Sequence, residues 1–132
     1  MRYVIDTNFI IKYFRGDEQA LKVFASLNNT QISISALTYL ELATGEALAG
    51  RKRFDKDLST FIKFFELLPL SGSAAMYAGR EALRLGRGKT NADMHDLAIG
   101  ATAREFKRTV LTENVHDFSS MVGVKVKDWR EL

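Results

Sequence analysis

Arg2-Tyr3-Val4-Ile5-Asp6-Thr7 opens the chain with a short apolar run, rich in β-branched and aromatic residues, that stops at a polar turn. Such a run reads as a buried strand, with Asp6 at its carboxyl end. Asn8 to Phe14 and Glu18 to Leu27 then carry apolar residues at helical spacing (Phe9, Ile10, Tyr13, Phe14; Leu21, Phe24, Ala25) on either side of Arg15-Gly16-Asp17, so a pair of helices leaves the strand. Gln31 to Ser35 alternates polar with apolar as a half-buried strand does, and Ser35 is placed to cap a helix running to about Ala49. Strand, helices, strand, helix is the rhythm of a parallel sheet wrapped by helices.

The rest of the chain keeps that rhythm. Phe54, Leu58, Phe61, Ile62 and Phe65 mark an amphipathic helix from Phe54 to Leu67, and the run from Leu67 to Leu70 holds the only proline, which predicts a short edge strand. Ser71 to Leu85 reads as a helix, residues 86–90 as a loop, and Asp93 to Phe106 as a helix whose small residues (Ala98, Gly100, Ala101, Ala103) suit close packing. Thr109 to Thr112 is a further strand; one helical turn near His116 to Met121 and a strand at Val124 to Val126 complete the expectation. The fold class is therefore α/β, a three-layer α/β/α arrangement around a mainly parallel twisted sheet of four to five strands. Ligands of such sheets sit outside the carboxyl ends of the strands, where Asp6 and Thr112-Glu113-Asn114 meet if their strands are neighbours.

At 132 residues and 46% hydrophobic content, the chain is sized for one core, so residues 1–132 are expected to form a single domain. No apolar stretch approaches the ~18 residues needed to cross a bilayer, and no leader pattern opens the chain. A soluble, cytoplasmic protein without membrane association is expected. With no cysteine, disulfides, thiolate metal sites and a cysteine nucleophile are excluded, leaving oxygen or imidazole for any metal.

Four acids stand in apolar surroundings: Asp6, Glu41 inside the third helix, Asp96 in Met94-His95-Asp96-Leu97, and Asp117 in Val115-His116-Asp117-Phe118. A carboxylate there loses hydration and needs hydrogen bonds, a basic partner or a cation. Several that converge repel one another, and a hard ion such as Mg2+ or Mn2+ is the common remedy. Withdrawing those four into a pocket leaves 19 bases against twelve acids elsewhere, a surface suited to a polyanion attacked at one of its phosphates. Each acid also has a plain reading. Asp6 is equally a helix N-cap, Glu41 equally the partner of a lysine, and Asp93 and Asp96 equally first-turn acids favoured by the helix dipole.

Taken together, Val4-Ile5-Asp6-Thr7-Asn8, the segment from Ser33 to Leu42, Asp96 to Ala103, and Val110 to Phe118 resemble the VapC group of PIN domains, in order and over essentially the whole chain. The resemblance implies a Mg2+- or Mn2+-dependent RNA endonuclease, the toxin of a type II toxin–antitoxin module, with RNA as substrate, a small VapB-like antitoxin peptide as partner, and a homodimer. It also assigns roles. Asp6, Glu41 and Asp96 match the family's metal-binding acids, and Thr112 matches the hydroxyl residue that orients them. Where the family often has a fourth acid, this chain has Asn114, whose amide adds no charge and weakens a second metal site. Asp117 is ranked first to supply that charge and Asp93 second.

Asn114 also keeps a second reading open, a catalytically weak PIN module that binds RNA or protein. A receiver domain is set aside, because it demands paired acids after the first strand and a lysine after a late one. Gly88-Lys89-Thr90 is no P-loop, since Leu83 stands where its first glycine belongs. Arg80, Arg84 and Arg87, like the run Arg51-Lys52-Arg53, read as solvated bases with RNA phosphates as the alternative. His95 and His116 read as packing or hydrogen-bonding residues. An antitoxin is expected to thrust a cation into the acidic pocket and lay apolar residues over helices near 9–14 and 36–65.

Overall fold

A computed structural model describes residues 1–44, 60, 63 and 65–132. Of the helix expected from Phe54 to Leu67, residues 60 and 63 are helical, but its end is not: Glu66 and Leu67 are strand, because they join the sheet beside Ser33 and Ile34. Residues 54–59, 61, 62 and 64, the continuation of the preceding helix to Ala49 and the basic run 51–53 lie outside the described residues. In chain order the elements are β1 (Tyr3–Ile5), α1 (Thr7–Phe14), α2 (Glu18–Ser26), β2 (Ile32–Ser35), α3 (Ala36–Ala43), β3 (Glu66–Leu68), α4 (Gly72–Leu85), α5 (Asn91–Glu105), β4 (Thr109–Thr112), α6 (Val115–Ser119) and β5 (Lys125–Asp128). The five strands form one parallel sheet in the order β3-β2-β1-β4-β5. The order reverses beside β1, so the crevice between the ends of β1 and β4 is the switch point of the sheet.

Alternation along the strands splits the core into two layers. Tyr3, Ile5, Ile32, Ile34 and Leu111 face Phe9, Ile10, Val23 and Phe24 of α1 and α2, together with Leu42 and Trp129. Val4 and Val110 face the other way, onto Ala74 and Ala78 of α4, Leu97, Ile99, Ala101 and Ala103 of α5, and Phe118 and Met121. This is the expected α/β/α sandwich. The small residues of α5 do let it lie close: a Cβ on Gly100 would fall 2.6 Å from Met121 Sδ.

The structure departs from the sequence reading at β2. Its alternation predicts a half-buried strand, yet all four residues are buried. The strand is interior and both sheet faces are covered, so the serines are satisfied inside the protein rather than by water. Ser33 Oγ donates to the Tyr3 carbonyl at 2.6 Å, and Ser35 Oγ accepts the Thr38 amide at 3.1 Å as the expected cap of α3. The strand β3 is an edge strand as expected, but it ends at Leu68. Pro69, which has no N–H to give, lies just past it. Gly86 ends α4 in the left-handed conformation, with φ of +64°.

Phe9 is the centre of the first layer, stacked between Phe24 at 4.7 Å and Trp129 at 4.6 Å between ring centroids. Phe9→Ala is expected to cost ~3–5 kcal/mol in urea unfolding. A loss below about 1 kcal/mol would contradict this packing.

Candidate active site

Strand register builds the site. Ile5 stands opposite Leu111, and the Asp6 amide donates to the Leu111 carbonyl at 3.0 Å, so the first residue past β1 comes against the end of β4. Asp6 does occupy the N-cap position of α1, but its side chain makes no cap hydrogen bond. It accepts instead from Thr112 Oγ1 at 2.8 Å, and that oxygen in turn accepts the Asn114 amide at 2.9 Å. Asp6 is only 2% exposed.

Glu41 arrives from α3, which Ser35 starts at the end of β2. Thr7 Oγ1 donates to Glu41 Oε1 at 2.9 Å and lies 3.1 Å from the buried Thr38 Oγ1. The other oxygen, Oε2, is 3.4 Å from His95 Nδ1 of α5. The neighbours of Glu41 among the described residues are thus a threonine that hydrogen-bonds it and a histidine within ion-pair distance, rather than a lysine. Asp96 follows on the same helix, half-buried.

Electrostatics ties these groups together. Burial pushes Asp6 up to about 6; Thr112 and the Thr7 amide oppose this, while the charges of Glu41 and Glu113 add to it. Asp96 is pushed up to about 7, chiefly by burial, then by the charges of Asp6, Glu41 and Asp117, with Arg87 pulling the other way. Asp96 therefore lies in the field of the other three acids singled out from sequence, and Asp6 in that of Glu41. Asp117 itself is exposed at the start of α6. Among the described residues, no three of Asp, Glu and His close around a single point. Hydroxyl partners hold Asp6 and Glu41 each in its own place.

Asp93 is engaged elsewhere. It pairs with Arg87 at 2.7 Å and accepts the Gly88 amide, and those contacts, the amide first, hold its carboxyl below the ordinary range. Arg84 and Arg87 are likewise committed within the chain, Arg84 to Glu81 and the Ser120 carbonyl, Arg87 to Asp93 and the Asp117 carbonyl. Only Arg80 of that trio remains an exposed base as read.

Sequence reasoning missed Glu113. It meets Lys12 at 2.8 Å and Arg130 at 3.7 Å, and its charge bears on Asp6. Its place beside Thr112 was a signal; its cations, far away in sequence, were not.

Beside Glu41 opens a cavity of about 660 Å³ lined by Thr7, Asn8, Ile11, Leu40, Glu41, Thr44, Asn91, Ala92 and His95. Its walls mix apolar side chains with amide, hydroxyl and imidazole groups, a composition typical of ligand-binding clefts.

A family model described as PIN domain matches residues 3–122. The tRNA(fMet)-specific endonuclease VapC of Salmonella typhimurium is 26% identical over 130 residues, 98% of each chain. The ribonuclease VapC of Rickettsia bellii is 28% identical over 96% of this chain and 95% of its own. Among solved structures, FitAcB from Neisseria gonorrhoeae matches with a TM-score of 0.79 and 25% identity, over 98% of this chain and 99% of that one. DNA-bound VapBC from Salmonella typhimurium matches with a TM-score of 0.77 and 26% identity, over 98% of both.

A buried acid whose proton affinity rises on folding favours the fold at low pH. That contribution is complete below about 4 and is lost as pH climbs through about 6. Asp6→Asn keeps an acceptor for Thr112 and removes the buried charge. In chelator it is expected to stabilise the protein at pH 8 by ~1–3 kcal/mol and by almost nothing at pH 4. Equal effects at both values in thermal unfolding would contradict the desolvated carboxylate.

Proposed function

The chain belongs to the PIN-domain family, and from that premise we propose that it cuts RNA with the help of a divalent metal, as the toxin half of a toxin–antitoxin pair. The observation that carries this reading is the one-sided accumulation of charge around two desolvated acids, Asp6 after β1 and Asp96 on α5: the carboxylate of Glu41 on α3 raises the proton affinity of Asp6, and Asp6 and Glu41 both raise that of Asp96. Desolvated, mutually repelling carboxylates are a poor structural device and a good cation site.

The donors present fit a magnesium-class ion. Such an ion takes one or two carboxylates directly and keeps several waters, so a set of acids that do not close into a cage suits it better than a zinc or calcium site. Asp6 and Asp96, the more desolvated pair, would hold it; Glu41 and Asp117 would act through its waters, and Asn114 would add an acceptor without charge. When bound, the ion supplies Lewis acidity toward a phosphodiester and a water acidic enough to attack it near neutral pH. The chain's own groups do the rest. Thr112 holds Asp6 by its hydroxyl, Thr7 holds Glu41, and His95 sits on the far oxygen of Glu41, fixing where that carboxylate points.

The cleft beside Glu41 gives the partners a place. Leu40 is 53% exposed at its rim and Ile11 forms its wall, an apolar surface for the antitoxin peptide, while the adjoining acids offer an anionic end to an arginine or lysine. Relatives solved as VapBC assemblies support such a partner. A homodimer belongs to the same reading. No helix among the described residues is long and apolar enough to cross a membrane.

A second reading, a weak or inactive module that binds RNA or protein, draws on Asn114 in place of an acid and on the open spacing of the carboxylates. Metal uptake separates the two. Calorimetry with Mn2+ is expected to show binding that Asp96→Asn abolishes; a binding-only module need show none. With magnesium and an RNA substrate, Asp6→Asn or Asp96→Asn is expected to lose more activity than the ~10–100-fold typical of residues that merely support a metal ligand. Undiminished cutting by either variant would overturn the proposed site. Growth arrest relieved by an adjacent small antitoxin gene tests the toxin role separately.

A further inference from the structure

Arg87 lies in the loop between α4 and α5 and is half-buried. Its Nε pairs with Asp93 Oδ1 at 2.7 Å, in the first turn of α5. Its Nη1 donates to the Asp117 carbonyl at 2.9 Å and lies 3.4 Å from Ser120 Oγ. The same segment is held at two more points. Arg84 Nη2 donates to the Ser120 carbonyl at 2.8 Å while its guanidinium pairs with the buried Glu81, and Glu81 Oε1 accepts the Val122 amide at 2.6 Å. The Tyr77 hydroxyl donates to the Val122 carbonyl.

Residues 117–122 therefore hang by their backbone from side chains of α4 and the loop after it. Of these side chains, Arg87 is the one that also bonds the first turn of α5, one helical turn ahead of Asp96. We propose that Arg87 is a positioning residue: a strut between α5 and α6 that fixes the gap separating Asp96 from Asp117. The inference rests on the proposed metal-dependent site and adds to it a residue outside the acidic cluster. Arginine suits the task because its planar fork donates in two fixed directions, to a carboxylate and to a carbonyl at once. Lysine keeps the charge and loses the fork. A plain structural ion pair would have no need of the Asp117 carbonyl, whereas a strut needs both ends.

The test uses the full chain with Arg87→Lys, Asp93→Asn and the double variant, each followed by RNA cleavage kinetics with magnesium, Mn2+ calorimetry and thermal unfolding. Each single variant is expected to lower kcat ~10-fold and weaken Mn2+ binding ~10-fold, the scale of outer-shell partners. The KM for RNA should stay within about twofold, because nothing that touches RNA has been removed. The double variant should be no worse than either single one, since breaking one end of a strut already disables it. Arg87→Lys with wild-type kcat and Mn2+ affinity overturns the strut. So does a pure rise in KM, which marks a direct phosphate contact, or losses that multiply in the double variant. Should Arg87→Lys fail to fold, Asp93→Asn decides alone by the same readings. Wild-type protein without Mn2+ uptake sensitive to Asp96→Asn defeats the parent reading of the site and the strut with it, a result distinct from variants that merely behave like wild type.

Discussion

The pairing of β1 with β4 is the constraint on which the rest depends. Because Ile5 lies against Leu111, the next residue on each strand has nowhere to go but the shared crevice, and there a carboxylate meets a hydroxyl at 2.8 Å. Asp6 is thus buried by the architecture itself, with one good donor and too little solvent. Its environment leaves three ways to relieve the charge: a proton, a cation or a rearrangement. The helices that complete the site sharpen that problem. The helix α3 brings Glu41, α5 brings Asp96, and both arrive as further negative charge rather than as compensation.

That accumulation argues for function over stability. Basic residues lie close by, yet they are spent at the periphery. Lys12 and Arg130 go to Glu113, and Arg87 goes to Asp93 and the backbone of α6. None of them makes an ion pair with Asp6 or Asp96 among the described residues. A fold that held these acids for structure alone would pair them directly, as it pairs Glu81 with Arg84 and holds that carboxyl down at about 2. The contrast between Glu81, buried and paired with a base, and Asp6, buried with a hydroxyl as its side-chain partner, is the observation on which the proposed cation site rests.

Much of this was legible in the sequence because it is local. The β-branched run ending in Asp6, the serine cap before α3 and the small residues of α5 each announce an element, and the alternation of element types announces a parallel sheet. That β1 and β4 be neighbours, so that Asp6 and Thr112 meet, was stated as a condition and is met; the full order β3-β2-β1-β4-β5 was not legible. Long-range pairing was not legible. Nothing in the spacing says that Glu41 would take Thr7 and His95 as partners, that Asp93 would be claimed by Arg87, or that Glu113 would join the field at Asp6. The burial of Ser33 and Ser35 was misread because alternation signals a solvent face only when one face of the sheet is open, and here helices cover both. Resemblance to the VapC group carried the functional reading further than composition did, and the PIN-domain match over residues 3–122 bears it out at the level of the family.

The most direct measurement is the titration of the Asp6 and Asp96 side-chain carboxyls by carbon-detected NMR, without divalent metal and again with saturating magnesium. Without metal they are expected to titrate near 6 and 7, and with magnesium both should remain ionised well below those values. Ordinary titration near 4 in both conditions, with no response to the ion, would contradict the crowded, desolvated site from which the function has been argued.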